Sequence, residues 1–318
     1  DDFQQAFENG ELTFPFLPSD DFSPDTGINQ VLILPECEYQ DTIGDFGGFF
    51  GSLGVYCFEV GLRLGMLSLS DFTPSGSPDS QGIGEFGLMG YGLFVGMGYI
   101  PPHPCAFNKM LMGWLDPLDI DPLVDATHTI TPCEMTGDPT AALRIGISGQ
   151  EYWLLAYRLQ DPDGNRIFSF PGDLNGNNIP DFYDFDSADG SGEPDSKFDP
   201  ETGDVRERLL GSEWDFFMSE NSAREDGDQG VGSGLYIWHV DEGVIQDVFG
   251  MSSNLFNADP NHKSVDLEEA DGIQDLDSRE PSPYILGGDD DSFRGEGNSV
   301  FGPESLPSTV SASGAQTN

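Results

Sequence analysis

The stretch DLNGNNIPDFYD, residues 173–184, has oxygen-bearing side chains at alternating positions. The carboxylates and amides are Asp173, Asn175, Asn177, Asp181 and Asp184, and the carbonyl of Ile179 stands between them. Calcium takes about six to eight oxygen ligands, and these positions match the spacing of a calcium-binding loop. Asn178 replaces the usual glycine but tolerates a left-handed backbone. Asp184 reaches less far than the usual glutamate. We expect calcium to bind here, with an ion-free acidic turn as the alternative.

Other residue types that could perform catalysis or bind metals are scattered. The four histidines are His103, His128, His239 and His262. None of them pairs with another ligand type at helical spacing, and no Gly-x-Ser-x-Gly motif supports a serine hydrolase. His239 lies inside an apolar strand pattern, where we expect a hydrogen-bonded structural residue.

Hydrophobic periodicity predicts the elements that must position these residues. A helix is expected at about 53–66, because Val55, Phe58, Leu62 and Met66 fall on one stripe. A second helix is expected at 101–115, with prolines at its start. Strands are predicted for QVLILPE (30–36), THTITP (127–132), ALRIGI (142–147), EYWLLAYRL (151–159) and GLYIWHVDE (234–242). The residues between 160 and 232 form an insertion rich in Asp, Asn and Gly.

Several segments, taken in order, resemble the catalytic domain of immune inhibitor A-like secreted zinc metallopeptidases. They are Pro35-Glu36, the helix FEVGLRLGMLS (58–68), GIGEFGLMGYG with Met89 at the Met-turn, Lys109 to Trp114, EYWLLAYRLQ, GLYIWHVDE and VDLEEADGIQDL (265–276). The resemblance covers about residues 30–310 outside the insertion. It implies an α+β fold with a zincin-like helical part and a β-rich C-terminal part, and the upstream half of that fold is missing.

The resemblance also implies that the zinc site is degenerate. The family's His-Glu-x-x-His pattern falls on Phe58-Glu59-Val60-Gly61-Leu62, and its third ligand falls on Ser68. Zinc hydrolysis needs three protein ligands and a polarised water, and neither Phe nor Leu offers a lone pair. Glu59 keeps the position of the general base without a metal-bound water to activate. We therefore expect no zinc and no peptidase activity, only a vestigial Glu59.

The charge of the chain limits its partners. There are 57 acidic and 12 basic residues in 318, a net charge of −45. Nucleic acid and anionic membranes would be repelled, and no apolar run is long enough to span a membrane. The four cysteines form no CxxC motif. They fit two disulfides in an oxidising compartment, with three pairings open, or else buried free thiols.

The leading interpretation is a secreted or cell-surface pseudoenzyme. It would be stabilised by calcium and act as a structural, binding or assembly component, such as a surface layer or filament. The parts expected are an acidic segment 1–29, a degenerate zincin-like subdomain 30–127 and a β-rich part 128–318. A protein partner or further copies are expected against the strand at 30–35, whose edge the missing upstream strands would leave open. The alternatives are a peptidase with a displaced metal site, built from Glu59, Asp71 and a distant histidine, and a matrix- or carbohydrate-binding module.

Overall fold

A computed structural model of the chain forms a mixed α+β fold around one five-strand sheet. It describes residues 53–71, 80–98, 101–134, 141–160, 215, 218, 232–248, 255–277, 286–295, 297–315 and 317. The acidic segment 1–29, the predicted strand at 30–36 and the predicted calcium loop at 173–184 lie outside these residues.

The sheet consists of β1 (Leu118–Ile120), β2 (Ala142–Gly146), β3 (Glu151–Arg158), β4 (Gly234–Asp241) and β5 (Val265–Leu267), in that order. β1 runs parallel to β2, and the other neighbours are antiparallel. β3 and β4 pair along their whole length, with Leu154 opposite Trp238. Side chains alternate between the two faces of a strand, so this register decides which residues meet on each face.

The two faces of the sheet pack against different parts of the chain. On the inner face, Leu154 and Trp238 join a buried cluster that includes Leu69, Phe86 and Phe107 from the helical part. This cluster therefore takes residues from both sides of position 128. On the outer face, a smaller cluster joins Trp153, Ile237, Ala270 and Phe293, with Ile145, Leu155 and Phe301 packed against it.

The described residues form three α-helices beside the sheet: α1 (Leu53–Leu64), α2 (Ala106–Leu111) and α3 (Glu242–Val248). Short 3-10 helices occur at Tyr91–Gly98, Asp275–Asp277 and Asp289–Asp291. α1 ends because Gly65 adopts a φ of 107°. The Met66 N–H then donates to the Gly61 carbonyl at 3.0 Å, as in a Schellman cap.

The backbone of α1 packs closely against the 3-10 helix at Tyr91–Gly98. A Cβ at Gly54 would lie 1.8 Å from the carbonyl oxygen of Leu93. Only glycine permits this contact, since real Cβ atoms do not come so near another heavy atom.

A fully buried asparagine, Asn257, joins three segments that are far apart in the chain. Its side-chain amide donates to the carbonyl of Leu69 at 3.0 Å and to that of Val265 at 2.8 Å. Its own backbone carbonyl accepts from the Ser80 hydroxyl at 3.0 Å. The residue therefore ties the segment after α1 to the start of β5.

The structure confirms some of the predicted elements and corrects others. The strands predicted at 142–147, 151–159 and 234–242 appear as β2, β3 and β4. The helix predicted at 53–66 ends two residues early, and that predicted at 101–115 is confined to Ala106–Leu111. The strand predicted at 127–132 is wrong, because the segment makes only an isolated bridge between Pro132 and Tyr157.

The cysteines of the described part are not paired. Cys57, Cys105 and Cys133 are free thiols, and the latter two are buried. The structure thus does not contain the two disulfides expected from the even cysteine count, while Cys37 lies outside the described residues. No helix among the described residues has the length and apolar character to cross a membrane.

Candidate functional site

Two of the three predicted positions of a degenerate zinc site, Phe58 and Leu62, lie on α1 and pack into a small apolar cluster. This Phe58 cluster consists of Phe58, Met66, Leu88, Met89 and Leu93, with Val55, Cys57, Leu62 and Met112 packed against it. The stripe predicted from the periodicity of α1 is confirmed. Phe58 is buried, and Leu62 is half-buried beside it.

Met89, which the sequence places at a Met-turn, lies directly beneath the helix. A Cβ at Gly61 would stand 2.7 Å from the Met89 sulfur and 3.1 Å from that of Met66. The Met89 carbonyl accepts from the Leu69 N–H at 2.8 Å, which holds the segment after the helix in place. The space around positions 58 and 62 is therefore filled by thioether and hydrocarbon groups. Phe58, Leu62 and the two methionines do not fit zinc, because they offer no thiolate, imidazole or carboxylate ligand, and Cys57 alone does not make a site of three ligands.

Glu59 is buried next to this cluster, with 3% of its surface exposed. Its Oε2 atom has no hydrogen-bond partner, and burial raises the pKa of the carboxyl. Transferring a charged carboxylate out of water is unfavourable without a compensating charge. Burial therefore makes the charged form of Glu59 less favourable than it is in water.

Ser68 stands in the extended segment that follows α1 and is also buried. Its neighbour Leu67 is clamped by Asn108 of α2. The Leu67 N–H donates to the Asn108 side chain at 2.9 Å, and the Asn108 amide donates back to the Leu67 carbonyl at 3.1 Å. These two bonds fix the backbone next to the position of the third zinc ligand, although Ser68 itself offers only a hydroxyl.

A buried ionic network lies where the helical part meets the inner face of the sheet. Arg158, 1% exposed, makes a bidentate pair with the fully buried Asp215: Nε lies 2.9 Å from Oδ2, and Nη2 lies 2.5 Å from Oδ1. Arg158 also donates to the Phe86 carbonyl, and Asp215 accepts from the His103 backbone N–H at 2.8 Å. The nearby guanidinium helps to hold the pKa of Asp215 well below its usual range.

Glu134 completes this Arg158 network, defined as Arg158, Asp215 and Glu134. Burial and the neighbouring Asp215 carboxyl raise the pKa of Glu134 to about 9. At neutral pH it is therefore protonated and shares its proton with Asp215. The adjacent Lys109 ammonium donates to the Cys133 carbonyl at 3.1 Å. The network joins three parts of the chain without presenting a reactive group to solvent.

The histidines do not assemble into a catalytic or metal site among the described residues. His239, expected to be a satisfied residue in a strand, lies 2.8 Å from the Glu151 carboxylate through its Nε2 atom. His262 makes a similar contact with Asp241 at 2.9 Å. Asp71, considered for a displaced metal site, is buried and accepts from the Ser80 N–H at 3.4 Å.

Metal-ligand types are not grouped anywhere in the part of the chain that the structure covers. There, no three histidine, cysteine or carboxylate side chains are placed to hold an ion. The calcium ligands predicted from the sequence, from Asp173 to Asp184, fall outside that part, so the calcium loop stays a prediction.

Sequence reasoning missed the Arg158 network and a second buried cation, Lys263. The Lys263 ammonium lies 2.8 Å from Asp266 and 2.5 Å from Asp277. The sequence contained one sign that Arg158 is buried, because Arg158 lies on the same face of β3 as the buried Leu154 and Ala156. Its partner Asp215 is 57 residues away in the chain, and no local pattern marks that pairing.

Comparison with known proteins adds no family to this description. No family model matches the chain, and neither a curated protein nor a solved structure matches it. The class that can be stated is an α+β protein with a mixed five-strand sheet.

Proposed function

We propose that this chain is a catalytically inactive relative of the immune inhibitor A-like metallopeptidases, with a zincin-like helical part, which acts outside the cell as a binding or assembly component. The observation that carries the proposal is the Phe58 cluster. Phe58 and Leu62 occupy the two histidine positions of the motif and pack with Met89. The apolar packing at these two positions supports the idea that core residues have replaced the ligands of a metal site.

The environment of Glu59, the residue at the position of the general base, supports the same proposal. A general base has to be ionised at the working pH to take a proton from water. Burial raises the pKa of Glu59, and its Oε2 atom faces no donor. What Glu59 lacks is an activated water, because its helix neighbours Phe58 and Leu62 offer a zinc ion no ligand.

The test of the catalytic part is a zinc and activity measurement on the purified protein. Elemental analysis is expected to give no stoichiometric zinc, and a general protein substrate is expected to stay intact. About one zinc per chain together with proteolysis that a chelator stops would overturn the proposal. The triple variant Phe58→His, Leu62→His and Ser68→Asp provides a matched control, because it restores two ligand types on α1 and the third in the segment that follows it.

The calcium part of the proposal rests on the loop at 173–184. No basic residue stands between Arg166 and Lys197 to neutralise its carboxylates, so a divalent cation would relieve their repulsion. We expect EGTA to lower the melting temperature and calcium to restore it, while magnesium substitutes poorly. At a free calcium of a hundred times Kd the stabilisation would be about 2.7 kcal/mol. Asp173→Ala should abolish most of this difference, and a melting curve indifferent to EGTA would contradict it.

A further inference from the structure

The outer face of the sheet borders a groove of about 870 Å³. Its floor is formed by β2, β3 and β4, through Leu143, Ile145, Leu155 and Ile237. One wall is the loop at 120–128, and the other is the C-terminal segment beyond residue 299. A volume of this size is typical of ligand-binding clefts.

The strand register makes the groove apolar as far as the edge of the sheet. Leu118 and Ile120 of β1 stand opposite Leu143 and Ile145 of β2, so all four side chains share the outer face. The loop that follows β1 continues this apolar surface, since Leu123 is 81% exposed. Such a concentration of exposed apolar groups is characteristic of an interaction surface.

β1 also has hydrogen-bonding capacity on its outer edge. Among the described strands it pairs only with β2. An edge strand of this kind presents N–H and C=O groups that an extended peptide can pair with. A peptide added there would direct every second side chain towards the outer face.

The charged residues that line the groove favour a partner with basic side chains. Its ionisable lining consists of Asp121, Glu151 and His128, and no lysine or arginine lines it within the described residues. Glu151 is held by His239 and by the Ala312 N–H at 2.6 Å, which leaves Asp121 open to a new cation. A second copy of the chain would bring another net charge of −45, and this repulsion disfavours self-association.

We propose that the groove binds an extended peptide segment of another protein in which apolar and basic side chains alternate. Its backbone pairs with the outer edge of β1, and its apolar side chains pack beside Ile120, which lines the groove. Its basic side chains face Asp121 and the solvent. This inference concerns the side of the sheet opposite the main core cluster, and it holds whether or not the chain has lost a zinc site.

The test is a fluorescence-anisotropy titration of the full chain at about 0.15 M salt. The probe is a labelled peptide of alternating valine and lysine, about eight residues long. Two further peptides separate specific binding from general charge attraction. One has the same composition with its valines and lysines in two blocks, and the other carries glutamate in place of lysine. The alternating lysine peptide is expected to bind at least about tenfold tighter than either.

A matched pair of variants locates the site. Leu123→Arg places a cation at the rim of the groove, whereas Leu64→Arg makes the same exchange at an exposed position on α1, where Leu64 is 57% exposed. Both side chains are more than half exposed, so an arginine at either position can reach solvent. Leu123→Arg is expected to weaken the alternating lysine peptide about tenfold, and Leu64→Arg to leave it within about twofold.

The proposal is overturned by any of three results. The block or glutamate peptide could bind as tightly as the alternating lysine peptide, which would show attraction without the predicted geometry. The two arginine variants could behave alike, which would place binding elsewhere. Sedimentation could show a dimer that the peptide does not dissociate and that Leu123→Arg breaks, in which case a second copy occupies the groove.

Discussion

Glu59 and Asp215 are both carboxyl side chains removed from solvent, and they differ in what replaces the water. Asp215 meets a bidentate guanidinium and a backbone N–H, and its pKa lies far below the usual range. Glu59 lies beside the Phe58 cluster with one oxygen unpartnered, and its pKa is raised. The comparison shows that the fold places a guanidinium against one carboxylate, whereas it buries the other with one oxygen unpartnered.

The largest loss of stability should come from removing the cation that pairs with Asp215. Arg158→Met leaves Asp215 and its neighbours without their cation. Removing one partner of a buried ion pair costs about 3–5 kcal/mol, so the free energy of unfolding, measured by urea denaturation, should fall by that amount.

The control for that variant is a second arginine–aspartate pair at the surface. Arg144 and Asp119 lie 2.6 Å apart with exposed side-chain fractions of 38% and 70%. Arg144→Met should therefore cost less than about 1 kcal/mol. Equal losses for the two methionine variants would show that burial of the Arg158 pair contributes nothing.

An effect of intermediate size is expected in the pH dependence of stability, because Glu134 holds a proton in the folded chain. Its pKa of about 9 in the folded chain lies above the value of about 4.3 expected when unfolded. Between these values the folded state binds a proton that the unfolded state has released, so stability falls as the pH rises through this window. One such proton gives a slope of at most about 1.4 kcal/mol per pH unit.

The variant that isolates this proton is Glu134→Gln, which keeps a hydrogen-bond donor beside Asp215 at every pH. Unfolding free energies at pH 7 and pH 8 should differ less in the variant than in the parent chain. Parallel pH dependences of the two proteins would mean that Glu134 is not the group that titrates.

The smallest change in stability is expected at Glu59, the carboxyl that has one unpartnered oxygen. Glu59→Gln replaces a buried carboxyl that has one unpartnered oxygen and a raised pKa by a neutral group of the same shape. The free energy of unfolding at pH 7 should change by less than about 1 kcal/mol, whereas Asp215→Asn weakens a charged pair and should cost more. A large loss in Glu59→Gln would indicate that the carboxylate has a charged partner, and the comparison would fail.

The sequence predicted best those elements whose side chains alternate or repeat over several residues. β3 and β4 are eight residues long with nearly continuous apolar patterns, and α1 has a stripe that ends at a glycine. β1 and β5 have three residues each, too few for a periodic signal. α3 buries none of its residues, so no stripe marks it.

The strand expected at 127–132 failed for a related reason. THTITP alternates, yet residues 121–129 are exposed throughout, and a polar alternation without a buried face gives no packing energy to a strand. At the candidate site, residue identity alone shows that Phe58 and Leu62 offer no zinc ligand. The Arg158 network was not visible, because it depends on contacts between distant segments.

The position of Asn257 bears on the order in which the chain folds. Its bonds to Leu69 and Ser80 join residues separated by 188 and 177 positions. Contacts of such separation raise the contact order, and folding slows as contact order rises. The β3–β4 pairing must also close a long loop between its strands, so α1 and the β2–β3 hairpin are the units able to form early. The Asn257 amide can bond locally to Val265, but it can reach the Leu69 carbonyl only in a late step, when the segment after α1 has met the start of β5.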